Sequence, residues 1–170
     1  IAFKGDDGAL KILSEEIENE GFKIISPNYF LKQSFSPKGH FAGPVPFSSF
    51  QAEIKRGYEV LKSLSQSDVG QSVAIQNGLV LSVEAIEGTD EMIKRAGKLK
   101  FSGLGPILVK APKINQDMRF DQPVIGEQTI ENAYKSGFSG IACKHKNVLI
   151  INLEKVIKLA EKRQITLFGF

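Results

Sequence analysis

Two carboxylates and a guanidinium lie close together in the chain at Asp117, Arg119 and Asp121, inside a polar run over residues 110–129. Pro123 biases Gln122 away from helical geometry, so the spacing predicts an extended segment over 117–121 with all three side chains on one face. A carboxylate there could hold a metal ion or take a proton from water, and Arg119 could neutralise phosphate. On a straight strand the two aspartates would stand ~13 Å apart at about 3.3 Å per residue, too far to share one ion. Either the segment turns or the aspartates have different jobs. A surface ion pair, or a cap on the next helix, is the blander reading of the same residues.

A second acidic run, Glu84, Glu87, Asp90 and Glu91, surrounds the turn at Gly88 and Thr89. A helix opening there would offer unpaired backbone amides to phosphate oxygens, and the carboxylates could hold Mg²⁺ bridging a pyrophosphate. Simple capping by Thr89 or Asp90 explains the same pattern. Other chemistries lack their signatures. No Gly-x-x-x-x-Gly-Lys-Ser/Thr run is present, Gly103 and Gly105 lack the third glycine of a dinucleotide loop, and no Gly-x-Ser-x-Gly elbow exists. His40 and His145 have no Cys or His partner at zinc-ligand spacing, and the lone Cys143 follows apolar Ile141 and Ala142 as a small core residue would.

The elements that must position these residues are read from periodicity and punctuation. Residues 1–4 and 22–25 read as strands around a helix carrying Leu10, Leu13 and Ile17, capped by Asp6 or Asp7 and ended by Gly21. Residues 27–49 hold five aromatics among prolines and glycines and read as a linker or ordered loop that packs between domains or borders a greasy ligand. Phe50, Ile54, Tyr58, Leu61 and Leu64 form a helical stripe over 49–65, and Asn77-Gly78 between the β-rich runs 69–76 and 79–86 predicts a hairpin. A short helix ending at Gly97, a strand at 107–110, a helix at 127–135, strands at 140–143 and 148–151, a helix at 153–162 and a strand at 165–170 complete the reading.

The predicted class is α/β, mixed α and β. Residues 1–26 would be the end of an N-terminal βαβ-type domain, 27–48 a linker, and 49–170 a C-terminal catalytic domain. The chain opens at Ile1 with a strand and too few strands to close a sheet, so an N-terminal truncation is expected. At 170 residues, with 42% hydrophobic and 24% charged side chains, it suits globular domains. A net charge of +3 is too small for a nucleic-acid footprint, but suits an anionic substrate or brief contact with an anionic membrane surface. One cysteine suits a reducing compartment such as the cytoplasm, and no apolar run reaches the roughly 18 to 20 residues of a membrane span.

Several ordered blocks carry a resemblance. Asp68-Val69-Gly70-Gln71, then Glu84-Ala85-Ile86-Glu87-Gly88-Thr89-Asp90, then Lys110, then Gln116-Asp117-Met118-Arg119-Phe120-Asp121-Gln122-Pro123 and Ile125-Gly126 resemble, in order, motifs of the UDP-2,3-diacylglucosamine pyrophosphatases of the LpxI type. Gly5-Asp6-Asp7 and Glu20-Gly21-Phe22 are similar to the end of that family's N-terminal domain, whose preceding Gly-rich segment is absent here. The resemblance implies a two-domain fold of its own and Mg²⁺-dependent hydrolysis of UDP-2,3-diacylglucosamine to UMP and 2,3-diacylglucosamine 1-phosphate. That reaction is a step of lipid A synthesis in the cytoplasm or at the inner face of the inner membrane. It places the catalytic residues among Asp117, Asp121 and Arg119, with Asp117 favoured as the essential acid. It puts Lys110, Gln71, Thr89, Gly88 and Gln116 on the substrate and Asp117, Asp90 and Glu87 on the metal. A non-catalytic module binding a nucleotide-sugar or lipid phosphate, and a metal-dependent phosphohydrolase of soluble nucleotides, are the rival readings.

Overall fold

Alternation along short apolar strands builds two cores on one sheet. In the computed structural model, which describes residues 6–114 and 116–170, the strands are β1 (Gly39–Ala42), β2 (Ser72–Gln76), β3 (Leu79–Val83), β4 (Ile107–Lys110), β5 (Val124–Ile125), β6 (Gly140–Cys143), β7 (Leu149–Ile150) and β8 (Thr166–Gly169). Six form one sheet in the order β1-β8-β6-β4-β2-β3. The central β4, β6 and β8 are parallel, and β1, β2 and β3 run antiparallel to their neighbours. The helices are α1 (Asp6–Asn19), α2 (Gln51–Ser65), α3 (Gly88–Gly97), α4 (Glu127–Lys135) and α5 (Leu153–Arg163).

Successive residues of a strand point to opposite faces, and the two cores follow that rule. Val73, Ile75, Ile107, Val109, Ala142 and Phe168 face α2 and pack with Phe50, Ile54 and Leu61. Ala74, Leu108, Ile141, Cys143 and Leu167 face the other way, against Met92, Ile93 and Ala96 of α3, Ile130 and Ala133 of α4, and Val156 and Ala160 of α5. The product is a three-layer mixed α/β arrangement with one helix on one face and three on the other.

Most elements lie where periodicity puts them. Asn77 (φ 50°) and Gly78 (φ 76°) make the hairpin turn. At the end of α1, the amide of Phe22 donates to Ile17 O and that of Gly21 (φ 86°) to Glu18 O, so glycine closes the helix as expected. The expected strand at 1–4 and the caps at Asp6 and Asp7 lie outside the described residues and side chains.

Three departures have physical causes. Residues 22–25 pair with no strand among the described residues, and Phe22 stays 70% exposed. Within the stretch read as a linker, Gly39–Ala42 becomes an edge strand on β8, and Phe35 is buried through a bridge to Leu149, while Tyr29 and Phe30 remain exposed. Residues 117–121 turn where an extended segment is expected: the amides of Phe120 and Asp121 both donate to Asp117 O at 3.1 Å.

Gly57 sets how closely α2 lies on the sheet. A Cβ there would stand 2.6 Å from Val109 Cγ2 and 3.2 Å from Val73 Cγ1, both on stiff β-branched side chains. Alanine raises helix propensity by up to about 1 kcal/mol, but overpacking costs about 1–3 kcal/mol. Gly57→Ala is therefore expected to lower the urea midpoint; a higher midpoint would mean that the helix has room to spare.

Candidate active site

The polar groups gather at the carboxyl ends of the parallel strands, where open α/β sheets bind ligands. Lys110 ends β4, lies opposite Ser72 of β2 and Cys143 of β6 in register, and is 3% exposed. Its Nζ donates to Thr89 Oγ1 (2.7 Å) and Ser72 Oγ (3.0 Å) and lies 3.7 Å from the Glu84 carboxylate. Thr89 donates to Glu84 Oε1 (2.8 Å), and the backbone amide of Gln71 donates to Glu84 Oε2 (3.3 Å). Glu84 is held there by its own amide, which donates to Ser72 O at 2.9 Å. Gly70, at φ 54°, lies so close that any Cβ would strike Glu84 O, so both its backbone angle and its contact require glycine.

Burial pushes the Lys110 ammonium below its ordinary pKa, against the pull of Glu84. The Cys143 thiol on the same sheet face is pushed up to about 12 by burial, which Lys110 partly opposes, so it stays protonated and packs as a core side chain.

Gln71 links this cluster to a second one. Its Nε2 donates to Asp121 Oδ2 (3.0 Å), and Gln116 Nε2 donates to the same oxygen. Gln116 is fixed in turn by the amide of Lys113, which donates to its Oε1 at 2.9 Å, while the Lys113 ammonium pairs with Asp68. Asp117 points elsewhere. Both its oxygens are engaged by the Arg119 guanidinium, with Nη2 at 2.7 Å from Oδ2 and Nε at 3.0 Å from Oδ1, and Arg119 Nη1 reaches Glu18 of α1 at 2.6 Å. The Arg119 hydrogen bonds hold the Asp117 carboxyl below the usual carboxylate range. Arg119 walls two clefts: one of about 910 Å³ beside Lys11, Ser14, Glu18 and Asp117, the other of about 940 Å³ beside Lys23, Ile24, Ile25, Tyr29, Lys32 and Lys146.

The structure thus brings together Lys110, Thr89, Gln71, Gln116 and Asp121, with Gly88 (φ 80°) opening α3 beside them. It places Asp117 and Arg119 next to that group as a separate pair. The three residues expected on a metal do not converge: Glu87 pairs with Arg95, Asp117 chelates Arg119, and Asp90 stands in the first turn of α3. Among the described residues no three His, Cys, Asp or Glu side chains are grouped to hold an ion. Neither Thr89 nor Asp90 caps α3; Glu87 occupies the N-cap without a side-chain capping bond, and the Thr89 hydroxyl is used by Lys110 and Glu84 instead. Asp90 Oδ1 is buried with no hydrogen-bond partner among the described residues.

Sequence reasoning named Glu84 only in an acidic run that could hold Mg²⁺, and left Ser72 and Gly70 out of the site. Glu84 stood in the acidic run and Gly70 beside Gln71, so both carried a signal; Ser72 carried none, because only strand register sets it against Lys110.

Removing one partner of a buried ion pair strands the other, so Lys110→Met and Glu84→Gln should each destabilise strongly and the double variant by much less than their sum. Urea denaturation of the four proteins should give a coupling of about 1–3 kcal/mol. Additivity within about 0.5 kcal/mol would show that the two groups do not depend on one another.

Comparison with known proteins gives the family. The family model of the LpxI C-terminal domain matches residues 37–168, a span that holds the six-stranded sheet from β1 into β8 and every polar group around Lys110 and Asp121. The chain is 34% identical over 174 residues, 99% of its own length, to the UDP-2,3-diacylglucosamine pyrophosphatase LpxI of Caulobacter vibrioides, and spans 62% of that relative. With the domain matched from the first strand of its sheet into the last, the chain belongs to the LpxI family.

Proposed function

We propose that this chain carries the catalytic domain of a cytoplasmic hydrolase that splits the pyrophosphate of UDP-2,3-diacylglucosamine into UMP and 2,3-diacylglucosamine 1-phosphate for lipid A synthesis. The activity that the Caulobacter relative is named for supports the reaction and substrate. The observation that carries the reading is the juxtaposition, through Gln71, of a buried ammonium and an amide-held carboxylate at the strand ends. No described helix is long and apolar enough to cross a membrane.

The roles follow from what each group already holds. Asp121 accepts two amide hydrogen bonds on one oxygen and, among the described residues, faces no cation at hydrogen-bond distance, so it is the carboxylate suited to orient water and take its proton. Asp117, first choice from the sequence, is saturated by Arg119, which makes it a poor base and a good brace for a guanidinium meeting phosphate. As water adds to phosphorus and the bridging P–O bond breaks, Arg119, which lines the clefts, would meet the charge that gathers on the leaving phosphate, and the buried Lys110 would add to it at longer range. The cleft with Ile24, Ile25 and Tyr29 among Lys23, Lys32 and Lys146 offers apolar and cationic surface together, as an acylated sugar phosphate requires. Mg²⁺ would add Lewis-acid charge on the pyrophosphate. Asp90, with its unpartnered oxygen, is the protein ligand best disposed to it, since no carboxylate cage is present among the described residues.

In the full-length protein, Asp121→Asn is expected to cut kcat by at least about 10²–10⁴ with little change in KM. Asp117→Ala is expected to raise KM more than it lowers kcat, because it frees Arg119. UMP release from the acylated substrate, from UDP-glucosamine, and with chelator added tests the substrate class and the metal in one series. Full activity in both variants would end this assignment, and equal turnover of the unacylated sugar would end the lipid reading.

A further inference from the structure

At the end of the sheet away from Lys110, the connection from α3 to β4 turns large apolar side chains to water. Leu99, Phe101 and Leu104 are 51%, 49% and 44% exposed, and Leu79, beside the hairpin turn, is 55% exposed. The connection is held firmly. Gln76, itself 1% exposed, donates through Nε2 to Phe101 O (3.0 Å) and Leu104 O (2.8 Å), and its Oε1 accepts from the Phe101 amide at 2.8 Å. Three hydrogen bonds from a buried amide therefore fix a loop that leaves about half of each apolar side chain in solvent, which is the pattern of a surface built to meet something.

The charge around it says what that is. Lys94, Lys98, Lys100 and Lys135 line a shallow depression of about 410 Å³ at the same end. From residue 92 to residue 116 the sequence contains no Asp or Glu. Lys94 pairs with Glu91, whereas Lys98, Lys100 and Lys135 form no salt bridge among the described residues. The carboxyl ends of α3 and α4 favour cations nearby, but they give no reason for Leu99 and Phe101 to alternate with Lys98 and Lys100. A second copy of the chain meeting this face symmetrically would set lysines against lysines. A surface offering negative charge and hydrocarbon together satisfies both halves of the pattern.

We propose that this pole docks on an anionic phospholipid surface, the lysines meeting lipid phosphates while Leu99, Phe101 and Leu104 enter the boundary between headgroups and acyl chains. The polar cluster at the opposite strand ends stays clear of the lipid, so the surface acts as a tether, and it stands whether or not the hydrolase reading does.

Co-sedimentation with phosphatidylcholine vesicles, with and without phosphatidylglycerol, tests it. Binding is expected only to the anionic vesicles and should weaken at least about tenfold in high salt. Lys98→Glu with Lys100→Glu, and Phe101→Ser with Leu104→Ser, should each weaken binding by at least about tenfold. Lys155→Glu with Lys158→Glu, on the exposed side of α5, should leave it unchanged. The charge-reversed pair lies on exposed positions, so it decides the matter even if the serine pair unfolds the loop, which thermal melts would reveal. Failure to bind anionic vesicles, binding indifferent to the loop variants, or self-association abolished by the serine pair would each overturn the tether.

Discussion

An ammonium group that is 3% exposed at the end of a central strand has to be satisfied where it lies, and Lys110 imposes that demand on everything around it. Two hydroxyls and a carboxylate answer it. Ser72 is supplied by register with β2, Thr89 by the start of α3, and Glu84 by the chain leaving β3. Those three come from separate elements, so the hairpin, α3 and β4 must meet before the lysine can be buried. The close approach of Gly70 to Glu84 O is the backbone expression of the same requirement.

Gln71 carries the constraint outward. Its backbone amide braces Glu84 and its side chain braces Asp121, so one residue fixes the distance between the buried cation and the half-buried carboxylate. Asp121 is also held by Gln116, and Gln116 by the Lys113 amide, which makes the turn over 117–121 part of the cluster although it has no regular secondary structure. Arg119 is tethered to Asp117 and Glu18 and lines two clefts, a place suited to meeting an anion. Lys110 lies buried, whereas Arg119 stays partly exposed to solvent.

Stability and chemistry pull apart here. A pair of buried charges contributes less to stability than a well-packed apolar pair would, and the lowered pKa of Lys110 records that burial disfavours its charge. The two apolar cores on the faces of the sheet supply the excess that lets such a cluster persist at its edge.

The sequence by itself determined the elements whose signals are local. Apolar spacing marked α1 through α5, Asn77-Gly78 marked the hairpin, and Gly21 marked a helix end, because each depends on residues within a few positions of one another. It also named most of the polar groups around Lys110 through a family resemblance. It did not determine β1 or β5, which are short and exist because a neighbouring strand completes their hydrogen bonds. Nor did it separate the surroundings of Asp117 from those of Asp121, although the resemblance favoured Asp117. In an extended segment both would share a face, whereas the observed turn gives one carboxylate to an arginine and the other to two amides. Only tertiary structure decided that, as it decided that Glu84 and Ser72 belong with Lys110: the partners come from distant parts of the chain, and strand register and burial, which no local pattern encodes, bring them within hydrogen-bond reach.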